Sequence, residues 1–374
     1  MSAHLRDLDD VDGFIAADRD GLLRAAATSG AHVRAVAHAV SEGVLAPLED
    51  LRPRAVVIVT GSSTTARQAA EFVIALLASR IDVPLVVAPA LPGWIGPLDV
   101  VVVVGDDPGD RAYADAALRA VRRRAELVAA VPVEGPLADA VGTERVADLS
   151  PRLPADTRFS FVRLVAALVA VCAAFRSVRL HPAPPALHDV ADALDAEATA
   201  DHPAQESFHN QAKLLAMRAD DPRTVFSGDT PASTVLAERI STALFTVAGI
   251  GTAAVDEAGA LARLRLPARS GAAVDPIFYD PDFDDAPPQQ RPRIVMATTV
   301  ARRWSVQQRT SAIGDVDVVT EQAGAPDDPA ASSGRGAAAA EFGDSPTDLT
   351  AYLTIAVRAD FAAAYLELTG ASAR

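Results

Sequence analysis

The sequence predicts an α/β protein: two tandem, doubly wound parallel sheets, each a three-layer α/β/α unit, behind a helical lead-in. Three observations predict it. Between Ala55 and Phe72, AVVIVTGSSTTARQAAEF, a β-branched run breaks into a glycine and four hydroxyl residues, then into an amphipathic helix. Strand and helix patterns alternate from there through Pro132, a succession that calls for a parallel sheet with right-handed crossovers. From residue 205 the pattern starts again, with a strand, a Ser/Gly/Thr turn and a helix between Arg223 and Val247, a weak internal repeat.

Residues 1–50 read as helices, with Phe14, Leu22, Leu23, Val33, Val36 and Val40 at helical spacings. Val56 to Val59 are apolar at consecutive positions, as in a parallel strand covered on both faces. Gly61 then permits a close backbone approach, and Ser62, Ser63, Thr64 and Thr65 offer hydroxyls and helix N-terminal amides, a combination suited to an anion. A well-capped helix after a buried strand has the same local sequence, since Ser and Thr are the usual N-caps. Helix 66–77, a short strand at 84–87 and the strand Asp99 to Val104 follow; the last empties into GDDPGD, residues 105–110, and a helix over 113–124. Leu127 to Pro132 is a fourth strand and 145–147 a short fifth. A long apolar helix over 160–175 is preceded by SPRLPADTR, and a Pro- and His-containing connector follows. The chain thus divides into a lead-in (1–50), a first unit (51–185), connecting helices (186–222) and a second unit (223–374). Further strands are expected at 273–278, 294–298 and 316–320, a helix at 301–308, a low-complexity loop over 323–346 and closing helices over 347–368.

Composition narrows the function. The chain of 374 residues carries a formal net charge of −15, which opposes nonspecific binding to nucleic acid or anionic lipid, so a phosphorylated ligand needs a local site. The single cysteine, Cys172, forms no internal disulfide and reads as a small core hydrophobe. Its apolar run is too short to span a bilayer and the polar N-terminus is no signal peptide, which points to the cytoplasm. Lys213 is the only lysine. No Walker loop, G-x-G-x-x-G or Cys/His cluster occurs, and the acidic stretch 275–285 matches no EF-hand spacing and reads as a solvated loop.

A hydroxyl turn after strand one, a Gly turn after strand three, PR before a long apolar helix, N-x-A-K and a second similar half together resemble the sugar isomerase (SIS) fold. More narrowly, the chain resembles the bifunctional phosphoglucose/phosphomannose isomerases and their TobH-type relatives. The resemblance implies a homodimer acting on a hexose phosphate, without metal or cofactor, by aldose–ketose isomerisation through a cis-enediol, an intramolecular oxidoreduction. It places substrate phosphate on Gly61, Ser62, Ser63 and Thr64, and on a second loop of which only Gly109 survives here; Asp106 or Asp107 facing the ligand would repel it. It gives Arg152 the support of the enediolate, where a cap on the preceding turn is the alternative. Asn210, Ala212 and Lys213 keep N-x-A-K, with a helix-terminal charge pair as the alternative for the lysine.

The chain departs from that pattern where a carboxylate and a histidine should move protons. Its counterpart stretch, ALFTVAGIGTAAVDEAGAL, has neither at the expected places, and no histidine follows His209. Glu257 or Glu238 is the candidate relocated base, although Asp256 and Glu257 also read as a strand end in solvent. His209 is the one imidazole beside a matched motif. Two readings follow: an isomerase with degenerate motifs, or a catalytically inactive double-SIS protein that binds a sugar phosphate or a partner.

Overall fold

The computed structural model describes residues 7–265, 291–311, 313, 316–322 and 343–370. The strand expected at 273–278, the acidic stretch 275–285 and nearly all of the low-complexity stretch lie outside the described residues.

The lead-in is helical: α1 (Val11–Ala17), α2 (Leu22–Ala27) and α3 (Ser29–Ser41). The first sheet follows as β1 (Ala55–Val59), α4 (Thr64–Leu77), β2 (Leu85–Ala88), β3 (Asp99–Val104), α5 (Arg111–Arg122), β4 (Glu126–Ala130), α6 (Gly135–Val141) and β5 (Ala147–Asp148). All its pairings are parallel, in the order β2-β1-β3-β4-β5. Every residue of β1 and β3 is buried, which explains their unbroken apolar runs: alternate side chains enter opposite layers.

After α7 (Phe161–Ala174), α8 (Leu187–Ala200) and α9 (Gln211–Ala219), the second sheet is built from β6 (Thr224–Gly228), α10 (Pro231–Ala248), β7 (Ala253–Asp256), α11 (Glu257–Arg265), β8 (Arg293–Ala297), α12 (Val300–Thr310) and β9 (Val316–Val319). Its order, β7-β6-β8-β9, is the first sheet's order without the fifth strand. The internal repeat is therefore a repeat of topology. Helix α11 begins directly at the end of β7, capped by the Asp256 carboxylate accepting from the Gly259 N–H at 2.8 Å.

One hydrophobic cluster runs through both halves and joins β1, β3 and α4 to β6 and α10. At its centre lies α13 (Leu349–Thr369), apolar all round. By length and composition this helix could cross a membrane, yet 89% of that window is buried, as befits the core helix of a globular fold. Phe72 of α4 meets Phe161 and Tyr352 edge-on at 5.8 and 5.7 Å. Helices α4 and α10, each following the first strand of its sheet, pack against one another, and the Gln68 amide donates to the Thr242 hydroxyl between them at 2.9 Å. Smaller clusters fill the outer faces, under α5 and α6 in the first half and under α11 and α12 in the second.

Candidate functional site

Ligands of parallel sheets bind outside the strand C-termini, where helix N-termini leave backbone amides unpaired. In the first half that edge is the turn between β1 and α4 together with the turn between β3 and α5. Gly61 lies at φ +56°, and a Cβ there would run into Asp110 and Tyr113. Ser63 caps α4 by accepting from the Ala66 N–H at 3.1 Å. The Tyr113 hydroxyl, buried beneath the turn, donates to the carbonyls of Thr60 and Val104 at 2.8 and 2.9 Å, fixing the ends of β1 and β3 side by side.

The donors of this cradle converge on an anion supplied by the chain itself. Both the N–H and the hydroxyl of Ser62 donate to one oxygen of the Asp110 carboxylate at 3.0 Å, and the Ala112 N–H donates to the other at 2.8 Å. Asp110 thus bridges the N-termini of α4 and α5. Burial pushes its carboxyl up, but the amides of Ser62 and Ala112 and the Ser62 hydroxyl outweigh it and hold the group below its ordinary 3.8.

The other two carboxylates of GDDPGD turn elsewhere. Asp106 pairs with the buried guanidinium of Arg163 at 2.6 Å and accepts from the Ser160 hydroxyl at 2.6 Å, both from α7 and its entry. Asp107 accepts from the Gly109 N–H at 2.8 Å in its own turn. Gly109 and Thr64 are exposed at the rim.

Arg152 follows β5, three strand spacings from β1, roughly 14 Å across the sheet. Its guanidinium pairs with Glu42 of the lead-in at 2.6 Å. The cavity it lines with His32, Ser150 and Arg163 measures about 10 Å³, room for one water and not for a hexose. Lys213 is fully buried. Its ammonium donates to the carbonyls of Pro203 and Gln205 at 3.0 and 2.7 Å, reaches Asp9 at 3.3 Å and lies 5.9 Å from the centre of the Tyr365 ring. Asn210 caps α9 through the Lys213 N–H at 2.9 Å. The N-x-A-K element therefore pins the 203–205 turn. His209 is exposed, its ring 4.2 Å from that of Phe208. Both oxygens of Glu257 are engaged by the Arg309 guanidinium, at 2.7 and 3.1 Å, and Glu238 is half-buried on α10. Gly61, Ser62, Ser63, Thr64 and Gly109 are thus brought together; Arg152, Glu257, His209 and Lys213 each hold a separate post.

The second half carries an equivalent edge that sequence reasoning missed. After β6, the Ala232 N–H at the start of α10 donates to Asp344 at 2.9 Å. After β8, the Val300 N–H at the start of α12 donates to Glu321 at 3.0 Å. Between them Arg302, 3% exposed, pairs with Asp229 at 3.0 Å and Asp348 at 3.2 Å and with the Tyr352 hydroxyl, which donates to Asp344 at 2.9 Å. Among the described residues no cluster of metal-ligating side chains occurs.

No protein-family model matches the chain, and no curated protein matches it. Solved structures do. The C-terminal domain of glucosamine-fructose-6-phosphate aminotransferase from Francisella tularensis is similar at a TM-score of 0.53 and 10% identity, covering 97% of this chain and 98% of that domain. Tagatose-6-phosphate ketose/aldose isomerase from Escherichia coli is similar at 0.52 and 14% identity, covering 99% of this chain and 95% of the isomerase. At such identities the likeness speaks to the fold alone: the chain has a tandem SIS-like α/β fold, as these two proteins do.

Proposed function

We propose that the chain is a double-SIS protein, allied to the bifunctional phosphoglucose/phosphomannose isomerases and their TobH-type relatives, that does not turn over hexose phosphates and serves as a cytoplasmic, homodimeric ligand- or partner-binding regulator. Its two units are 51–185 and 223–374. The observation that carries this reading is Asp110, which takes the two Ser62 donors that a substrate phosphate would need. A phosphate carries nearly two negative charges and would meet a carboxylate already in place, a repulsion of roughly 1 to 4 kcal/mol per unit charge at 4 Å. The dispersal of Arg152, Glu257, His209 and Lys213 adds to it, since proton transfer between C1 and C2 needs a base within hydrogen-bond reach of the substrate.

A second reading, the isomerase itself, is favoured by one feature: the cradle's donors are intact and already arranged around an anion. On that reading Asp110 swings out, phosphate lies on Gly61 to Thr64 and Gly109, Arg152 supports the enediolate, Glu257 or Glu238 is the base, and His209 or Lys213 moves the hydroxyl proton.

A coupled assay of fructose 6-phosphate formation from glucose 6-phosphate and mannose 6-phosphate separates the two. The expected result is no turnover. Turnover that disappears in Ser62→Ala would overthrow the regulatory reading and establish the enzyme.

A further inference from the structure

On the edge of the first sheet opposite the cradle, the segment between α4 and β2 meets the segment after α7 in a single antiparallel bridge, Ile81 with Leu180. The Asp82 N–H donates to the Arg179 carbonyl and the His181 N–H to the Arg80 carbonyl, each at 3.2 Å. Alternation across this bridge sends Ile81 and Leu180 to the core and leaves Arg80, Asp82, Arg179 and His181 on the outer face. There, with Ser79, they line a cleft of about 330 Å³, within the size range of small-ligand sites.

The charges lining this cleft are unequal. Asp82 is already neutralised: Arg52 donates to one of its oxygens at 3.0 Å and the Arg179 N–H to the other at 2.8 Å. The side chains of Arg80, Arg179 and His181 have no hydrogen-bond or ion-pair partner among the described residues. Two guanidinium charges therefore stand uncompensated around one concavity, in a chain of net charge −15 that has carboxylates to spare. An anion seated between two such charges is favoured by both of them. Planar guanidinium groups suit tetrahedral oxyanions through paired N–H donors.

We propose that this cleft is a second, SIS-independent binding site for a soluble phosphate monoester, the phosphate lying between Arg80 and Arg179 with Ser79 and His181 at its flank. The overall negative charge of the protein turns the site away from anionic membranes and toward small ligands. A closed cradle on one edge and an open cationic cleft on the other give the protein a means of sensing a phosphorylated metabolite without converting it.

Isothermal titration of the full chain at low salt, with inorganic phosphate and glucose 6-phosphate as probes and glucose as the uncharged control, tests this. Both phosphates are expected to bind and glucose not to. Arg80→Ala and Arg179→Ala should each weaken binding at least about tenfold, and Arg80→Lys less. Because these side chains are exposed, the variants should melt with the parent, which circular dichroism checks. Absence of phosphate binding would overturn this inference and leave the regulatory reading standing. Binding unchanged in the Arg80→Ala/Arg179→Ala double variant but lost in Ser62→Ala would overturn this inference and reopen the cradle as a phosphate site.

Discussion

The two halves of the molecule meet the same demand in different ways. In each, the helices after the first and third strands present unpaired amides at the sheet edge, and in each the chain answers with its own carboxylates. The first half uses one, Asp110, which spans both helix ends and stays within reach of solvent. The second uses two, Asp344 and Glu321, one per helix, with Arg302 and Tyr352 locking the space between them out of water. The same fold can thus have the helix N-termini at its sheet edges filled from within. In the first half that carboxylate, Asp110, stands where a competing anion could displace it.

The sharpest way to break this contrast is Arg302→Met. It leaves Asp229 and Asp348 buried without their counter-charge, and the expected cost is about 3–5 kcal/mol, read from the urea unfolding midpoint. A loss below 1 kcal/mol would mean that the second half is not charge-locked. Asp344→Ala comes next. It orphans the Ala232 N–H and takes one of the partners of the Tyr352 hydroxyl, which keeps Thr230 and Arg302, at about 1–3 kcal/mol, and added phosphate should restore none of it, because the space is closed by Arg302.

Asp110→Ala is the counterpart in the first half, with a smaller cost of about 1 kcal/mol for a lost helix cap. Here the two halves should part company. Added sulfate or phosphate is expected to raise the melting temperature of Asp110→Ala above any shift in the parent, and Ser62→Ala in the same background should abolish the gain. If both proteins respond equally to the anion, Asp110 does not guard the cradle.

Their pH dependence also separates them in sign. The Asp110 carboxyl is held low, so its contribution is complete above the unfolded value of 3.8 and is lost as pH falls through the lower folded value. Burial raises the carboxyls of Glu321 and Asp348, with Arg302 opposing at Asp348. In the window that begins at their unfolded values of 4.5 and 3.8, the folded chain holds protons that the unfolded chain has released. Stability contributed there falls as pH rises. Between pH 5 and 3, hydrogen exchange corrected for intrinsic rates should therefore quicken at the start of α4 and not at the start of α12, and Asp110→Asn should erase the difference at α4.

Much of the fold was legible because buried parallel strands are written as unbroken apolar runs, and Val56 to Val59 and Asp99 to Val104 lie where those runs lie. The repeat was legible for the same reason, as a strand, a small-residue turn and a helix met twice. The cradle was legible as a place but not as a state. GDDPGD offers three carboxylates, and which one faces inward is decided by α7, whose Arg163 and Ser160 draw Asp106 away, more than fifty residues from it in sequence. Asp344 is harder still, reaching Ala232 across a separation of 112 residues. Lys213 was conspicuous as the lone lysine, yet rarity carries no information about burial. Its ammonium is occupied by backbone carbonyls that sequence cannot place.

Arg152 gives the smallest expected effect and the cleanest division between the two readings of function. Its guanidinium and the Glu42 carboxylate are both exposed, and exposed pairs recover little beyond the cost of ordering two long side chains. Arg152→Ala should leave the unfolding midpoint where it is, and on the regulatory reading it should leave phosphate binding where it is as well, since the closed cradle and the cationic cleft both lie elsewhere. On the isomerase reading the same substitution removes the group that supports the enediolate and lowers kcat at an unchanged midpoint. A stable Arg152→Ala protein that has lost turnover present in its parent would return this residue to the reaction and require Glu42 to be a gate that substrate opens.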